Sequence, residues 1–342
     1  MKKLIATSLV LASGAAFAQS SVTLYGVADL NIASRKSAGG ERVLKVDSSG
    51  IYESRFGFKG SEDLGGGLKA NFQLEQGFAL DAGTVTPGQA FSRQSWVGLS
   101  GGFGEFKAGK AWSAYDDISG SAQAALNSMF SPSAGVWLSG AYKDNPSNGL
   151  YYASPAVGGV SGAVSYGLGE NKTASTGAGS IVSVHVKYNS GPVYAGVAQQ
   201  NEKATGSSEA IKFTRINGSY DLGLAKLLAS YGRVAAGGAS TKEWQLGVNV
   251  PVGSAWMLSG GVARSKGAIT GYTGDASYIG KTVNVTGAGA PDVERTGFGV
   301  AAFYTMSKRT KLYGGLQSNT TKVPGSADAD SNAVAVGILH TF

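Results

Sequence analysis

The sequence predicts an all-β protein, a transmembrane antiparallel β-barrel of sixteen strands, from three observations. Apolar and polar residues alternate with period two, a secretory leader opens the chain, and short and long connections alternate to the last residue. In Tyr52–Gly60 (YESRFGFKG), Glu53, Arg55, Gly57 and Lys59 share one parity while Tyr52, Ser54, Phe56 and Phe58 share the other. In Leu68–Gly77 (LKANFQLEQG), Leu68, Ala70, Phe72 and Leu74 oppose Lys69, Asn71, Gln73 and Glu75. Successive side chains of a strand point to opposite faces, so each strand has one apolar and one charged face. A water-soluble sandwich would bury the apolar face and leave the polar one outside. An exported chain with this pattern to its end fits the inverse, with lipid outside and water inside.

The leader is Met1–Ala18. Lys2 and Lys3 precede the apolar run Leu4–Ala12, and Ala16-Phe17-Ala18 supplies a small-x-small cleavage site. Cleavage after Ala18 leaves 324 of 342 residues as a single barrel domain, 19–342. No later segment approaches the ~20 consecutive apolar residues of a spanning helix. With no Cys there is no disulfide or thiolate metal site, so stability must come from elsewhere, such as a closed hydrogen-bonded sheet. Gly is abundant (53) and Pro scarce (8), and a mean hydropathy near zero hides the alternation. Lys2 and Lys3 account for two of the net +7, leaving +5. The basic residues are scattered at strand spacing with no basic helix or stripe, which argues against nucleic acid.

In chain order, Val22, Leu24, Gly26, Ala28, Leu30 and Ile32 oppose Tyr25, Asp29 and Asn31. Seven short turns are expected at Ser61–Gly67, Gly101–Gly104, Pro155–Gly159, Asn189–Pro192, Asp221–Ala225, Pro251–Ser254 and Ser307–Thr310. Eight longer loops are expected at about 34–50, 80–90, 111–147, 169–180, 201–208, 235–242, 265–292 and 319–331. Fifteen connections join sixteen strands, an even number as outer-membrane barrels show. Trp244, Leu246, Val248 and Val250 oppose Glu243, Gln245, Gly247 and Asn249, whereas Ile211–Ser219 is mixed. Trp96, Trp244, Trp256 and Tyr304 fall near strand ends on the apolar parity, as aromatic girdles would. Val334, Val336, Ile338, His340 and Phe342 share one parity, and a strand reaching the final residue must pair with the first to leave no open edge in lipid.

Several stretches carry a specific resemblance. They are Ser21–Gly26, Arg55–Gly65 (RFGFKGSEDLG), Gly67–Ala70, Arg93–Leu99 (RQSWVGL), Gly104–Gly109 and Ser307–Thr310. Together they span the mature chain and resemble the Gram-negative general-diffusion porin family of the neisserial and betaproteobacterial type. The resemblance implies a homotrimer in the outer membrane, surrounded by lipid and lipopolysaccharide. Each barrel would hold a water-filled channel for passive diffusion of ions and small hydrophilic solutes. Phe342 is similar to the assembly signal such porins present to the barrel-assembly machinery. The long third external loop is expected to fold into the pore. Here that is 111–147, about 37 residues, far above the ~12–15 of an ordinary connection.

By the same resemblance Arg55 and Arg93 are constriction residues of the wall, in strands beside the loop-bearing hairpin, and Asp116 and Asp117 their acidic counterparts. Lys59, Lys69, Glu75, Lys107 and Lys110 are further lumen candidates. Guanidinium stays ionised at any working pH, and two such groups close together need facing carboxylates, with Asp116 or Asp117 the expected partners. Relatives carry an arginine within this loop; here Ala134–Ser139 reads AGVWLS, with only Lys143 beyond, so the expected anion preference is weak. No cofactor is expected. A barrel enzyme or a solute-specific channel is the alternative, but the two histidines, His185 and His340, lie beside no Ser or Asp motif. Metal ligands are not clustered, and Gly65-Gly66-Gly67 precedes no helix, so it is a turn and not a phosphate loop.

Overall fold

The computed structural model describes residues 21–85, 87–273, 282–286 and 291–342; the expected leader at 1–18 lies outside them. The strands run β1 (Ser21–Lys36), β2 (Arg42–Ser48), β3 (Arg55–Gly65), β4 (Leu68–Gly77), β5 (Gln94–Gly101), β6 (Gly104–Lys110), β7 (Gly149–Ala153), β8 (Val160–Leu168), β9 (Ser180–Ser190) and β10 (Val193–Lys203). They continue as β11 (Ala210–Asp221), β12 (Lys226–Ala236), β13 (Ala239–Val252), β14 (Trp256–Gly267), β15 (Ile269–Thr273), β16 (Thr282–Val285), β17 (Val293–Thr305), β18 (Thr310–Lys322) and β19 (Ala329–Thr341).

All but the hairpin β15–β16 join one antiparallel sheet. The two halves of β1 pair with different strands: Ser21–Val27 with β3, and Leu30–Lys36 with β2. β2 and β3 therefore share one position, interrupted at 49–54, and the sheet's 17 strands make a wall of sixteen positions. β19 pairs back onto β1 from Val27↔Thr341 to Lys36↔Asn332, and Gly26 and Phe342 exchange two backbone hydrogen bonds of 3.1 Å. No edge is left for water or lipid to meet, which is what the hydrocarbon region demands.

The alternation becomes two faces. Leu246 is 55% exposed and Val336 61%, whereas Glu243, Gln245 and Ser183 are 0% exposed. Exposed apolar side chains are stable only against lipid, so that parity is the outer face. The mixed stretch 211–219 resolves the same way, with Phe213, Arg215, Asn217 and Ser219 buried and Ile216 outside. Short turns need backbone that glycine supplies: Gly66 (φ +61°) and Gly67 (φ +80°) close β3–β4, and Gly237 (φ +55°) and Gly238 (φ +81°) close β12–β13.

Four expectations need correction. The loop expected at 34–50 is largely strand, because β1 runs to Lys36 and β2 fills Arg42–Ser48; what is irregular is 49–54, the break in the wall. The loop expected at 235–242 is only the two-glycine turn. Within 265–292 the chain forms the extra hairpin β15–β16. Trp96 is not a girdle residue: it shares the buried parity with Gln94 and Gly98, and its indole Nε1 donates to Gln94 Oε1 at 3.0 Å. Trp244, Trp256 and Tyr304 do lie on the outer parity, the last two in register with ring centroids 4.7 Å apart.

Candidate functional site: the inner wall and segment 111–147

The inner face of β1, β3 and β4 gathers charge. Glu75, near the end of β4, is 3% exposed and sits between two guanidinium groups. Arg93 Nε donates to its Oε1 at 2.8 Å, and Arg55 Nε lies 3.5 Å from its Oε2. Tyr25 of β1 donates its hydroxyl to the same Oε2 at 2.9 Å and accepts from Gln73 Nε2 at 2.6 Å. Glu53 completes the group as a second ion-pair partner of Arg93. The Arg93 guanidinium lies 4.8 Å from the Trp112 ring centroid, a cation–π distance. The expected carboxylate partners Asp116 and Asp117 are thus replaced by Glu75 and Glu53. Arg93 also stands one residue before β5 rather than in a strand.

The two aspartates are engaged elsewhere. Asp116 accepts a hydrogen bond from Tyr142, and Asp117 Oδ2 accepts from Tyr151 at 2.7 Å and lies 3.4 Å from His185 Nδ1. Burial pushes the Asp116 carboxyl up to about 7; the Tyr142 hydrogen bond opposes the shift, Asp144 and Asp117 add to it, and the field of Arg93 opposes it. Burial likewise raises the Asp117 carboxyl against the Tyr151 hydrogen bond and the charge of His185. Lys59, Lys69 and Lys107 share the inner parity. Lys59 lies 5.1 Å from the Tyr25 ring centroid, and Lys107 4.8 Å from those of Trp96 and Tyr151 while pairing with Glu105 at 2.9 Å. Lys110 has the opposite parity, and its Nζ donates to Asn145 O at 3.2 Å.

Segment 111–147 contains one α turn, α1 (Asp116–Ser119), and a 3-10 turn at Ala124–Asn127. Its backbone is bonded to inner-parity side chains far around the wall. Ala114 N donates to Ser165 Oγ (3.0 Å, β8) and Tyr115 N to Ser183 Oγ (2.6 Å, β9). Ala125 N donates to Ser259 Oγ (2.7 Å, β14), and Ala134 O accepts from Gln317 Nε2 (2.8 Å, β18). His185 Nδ1 meets Ala114 O at 2.7 Å, and since a carbonyl only accepts, that nitrogen carries the proton.

A buried ion cluster fastens the far side. Glu243 of β13 accepts from the backbone amides of Leu138 and Ser139 and from the Ser139 hydroxyl. Arg215 of β11, 1% exposed, donates to Ser139 Oγ at 3.2 Å and stacks 4.3 Å from the Trp137 ring centroid. Ala125, Leu126 and Asn127 all have φ between 53° and 58°. Left-handed backbone costs roughly 1–2 kcal/mol per non-glycine residue, so the wall contacts must hold this turn in place.

Arg215, Glu243, Glu53 and Trp112 did not stand out from the sequence. A usable signal was the small residues on the polar parity of the later strands. A Cβ at Gly299 would meet Phe130 O at 1.9 Å, and one at Gly247 would meet Ala124 Cβ at 2.6 Å. Those glycines hollow out the wall where the segment lies.

A family model described as Gram-negative porin matches residues 6–324. Outer membrane porin protein 32 of Delftia acidovorans is 33% identical over the whole of this chain and 99% of its own length. Major outer membrane protein P.IB of Neisseria meningitidis serogroup B is 35% identical over 58% of this chain and 55% of its own. Among solved structures, the anion-selective porin from Comamonas acidovorans superposes with a TM-score of 0.75 at 26% identity, over 95% of this chain and 100% of that one.

Proposed function

Because the chain belongs to the Gram-negative porin family, we propose that segment 111–147 narrows a water-filled lumen whose ion preference is set beside it by Arg55 and Arg93. The protein is an outer-membrane, multi-pass porin, a channel and not an enzyme, through which ions and small hydrophilic solutes diffuse passively. The observation that carries the proposal is the reach of that segment, which is hydrogen-bonded to inner-face side chains from β8 to β18. A cross-piece of this kind leaves a passage beside the wall where β3, β4 and the start of β5 present the arginines, with the two ends of the segment, at Trp112 and Asn145, anchored next to Arg93.

In this reading the anion preference is weak for a definite reason. Arg55 and Arg93 are balanced by Glu75 and Glu53, and Glu105 offsets Lys107, so the local surplus is Lys59. The anion-selective character of the Comamonas porin supports the sign. Asp116 and Asp117 act as the acidic side of the constriction through their field on Arg93 and His185, without ion-pairing to either arginine. Three copies assemble in a bilayer of lipid and lipopolysaccharide, each after removal of residues 1–18. Phe342, seated against Gly26 at the seam, is the signal read by the barrel-assembly machinery.

The test is the reversal potential across a planar bilayer in a salt gradient. Replacing both arginines (Arg55→Gln with Arg93→Gln) should move it towards cations while the protein still runs as a heat-modifiable trimer. A folded double variant with the wild-type reversal potential would show that this pair is not the filter.

A further inference from the structure

The connection from β14 to β17 is long enough to stand in the water above the barrel, yet its described residues fasten to the inner wall. Gly267 permits the bend, since a Cβ there would lie 2.3 Å from Ser240 O and 2.4 Å from Thr241 Cα. Beyond it Ala268 N donates to Ser240 O at 3.1 Å. The buried Thr241 of β13 then brackets Ile269, its Oγ1 accepting from the amide at 3.0 Å and donating to the carbonyl at 3.1 Å. Arg295 of β17 donates to Thr270 O at 2.7 Å. Thr241 and Arg295 both have the buried, inner parity of their strands, so the hairpin β15–β16 begins inside the mouth of the barrel.

What the hairpin covers is apolar. Ile269, fully buried, and Tyr272 join one cluster with Phe213 of the wall and Tyr115, Leu138 and Tyr142 of segment 111–147. The Tyr272 ring centroid lies 6.4 Å from that of Phe213, which is 6.5 and 6.3 Å from those of Tyr115 and Tyr142. Wall, segment and hairpin thus share a core inside the lumen, and lifting any one of them would open aromatic surface to water.

Polar contacts fix where the segment sits in that core. Tyr272 donates its hydroxyl to Leu138 O at 2.9 Å, while Leu138 N donates to Glu243 of the wall. One residue is therefore held from two sides, its amide by β13 and its carbonyl by the hairpin. Without the hydroxyl, the packed segment would keep a carbonyl that has lost its donor, which favours the lifted form.

We infer that the hairpin β15–β16 is a positioning element of the constriction, and that Tyr272 is the residue through which it holds segment 111–147 against the wall. This rests on the reading that the segment narrows the lumen, and it adds what keeps the segment in place.

The chain has no cysteine, so a single introduced thiol reports on the segment alone. Val136, fully buried and two residues before Leu138, is changed (Val136→Cys), and the folded porin in lipid vesicles is treated with a water-soluble maleimide. A thiol that reacts only when its segment lifts is labelled in proportion to the lifted fraction. In that background Tyr272→Phe removes the hydroxyl and keeps the ring, and should raise the labelling rate about fivefold. Tyr272→Ala, which also takes the ring from Phe213, should raise it more than about tenfold. Val285→Ala, on the same hairpin but outside the cluster and 52% exposed, should leave the rate unchanged. The temperature at which the barrel unfolds on a gel should stay that of Val136→Cys throughout, because neither Tyr272 nor Leu138 belongs to the wall. An unchanged rate in both Tyr272 variants, or an equal rise with Val285→Ala, overturns the inference. So does a rise in labelling matched by a fall in the unfolding temperature, which would mark general loosening. Should Tyr272→Ala fail to fold, Tyr272→Phe carries the comparison. Single-channel current separates the inference from the reading beneath it. Faster labelling with added current steps supports both, whereas faster labelling at an unchanged current supports the hold of the hairpin and removes only the narrowing role of the segment.

Discussion

Replacing Glu75 with glutamine tests the electrostatics of the wall by exchanging a single carboxylate oxygen for an amide nitrogen. Glu75 is the carboxylate shared by Arg93 (2.8 Å) and Arg55 (3.5 Å); it accepts one hydrogen bond from Arg93 on one oxygen and one from Tyr25 on the other, and the amide keeps only one of those oxygens. The group of Arg55, Arg93, Glu75 and Glu53 then passes from neutral to one positive charge. An anion about 6 Å away gains roughly 0.7 kcal/mol if the space behaves as water, and about 2.8 kcal/mol at an effective dielectric of 20. The permeating ion is itself in water while the Arg55 and Arg93 side chains are only 22% and 14% exposed, so the water-like figure is the lower bound. Potassium loses what chloride gains, so the ratio of chloride to potassium permeability should rise about tenfold. Screening extends over ~10 Å at 0.1 M salt but only ~3 Å at 1 M, so the rise should shrink in concentrated salt. Reversal potentials in two gradients, one dilute and one concentrated, measure both effects. An unchanged ratio at 0.1 M, or a shift towards cations, in a folded trimer refutes the proposed field.

Other consequences are equally open to measurement. Deleting Ser119–Ser139 should raise single-channel conductance and admit larger sugars while the barrel still assembles. Unchanged conductance would place the segment outside the current path. Glu243→Ala should leave the backbone amides of Leu138 and Ser139 and the Ser139 hydroxyl without their acceptor, a loss of about 1–3 kcal/mol in docking, seen as added current noise and faster proteolysis within 137–147. Asp116 has a folded-state value near 7 against an ordinary 3.8, so the neutral acid is the form the packed segment favours. Its stabilising contribution is complete below about pH 4 and is lost as pH rises through 7. Anion preference should therefore fall between pH 6 and 8 as the carboxylate charges, and Asp116→Asn should flatten that profile.

The sequence revealed what is periodic and little of what is not. Leu246 and Glu243 declared their faces by parity alone, because lipid and water impose opposite demands on adjacent residues. Trp96 reads wrongly because an aromatic ring suits a girdle and an inner wall alike; its parity with Gln94 and Lys107 above its face distinguish the two. Arg42–Ser48 reads as loop because its outer Leu44 and Val46 are followed by the break at 49–54, so the strand ends before the pattern becomes convincing. The arginines were legible from motif, but their partners Glu53 and Glu75 were not. Ion pairing there depends on where Arg93 leaves the loop to enter β5. The docking of 111–147 is wholly non-local, each hydrogen bond joining residues tens to hundreds of positions apart.

The break in the wall at 49–54 has a consequence for the order of events in assembly. Asp29, fully buried in β1, receives the amides of Gly50 (3.1 Å), Ile51 (2.7 Å) and Tyr52 (2.8 Å), together with the hydroxyl of Tyr313 from β18. Glycine at 50 and 337 lets that phenol through, since a Cβ at either would come within 2.3 Å of it. Two of the parts are near the start of the chain and the third arrives 284 positions later. The start of the chain can therefore not finish folding when it is made. The Asp29 carboxylate stays short of a donor until the last strands have come round to the first. The corner of the wall and the seam are completed in a single late step, and a chain truncated before Tyr313 would carry an unfinished beginning as well as a missing end.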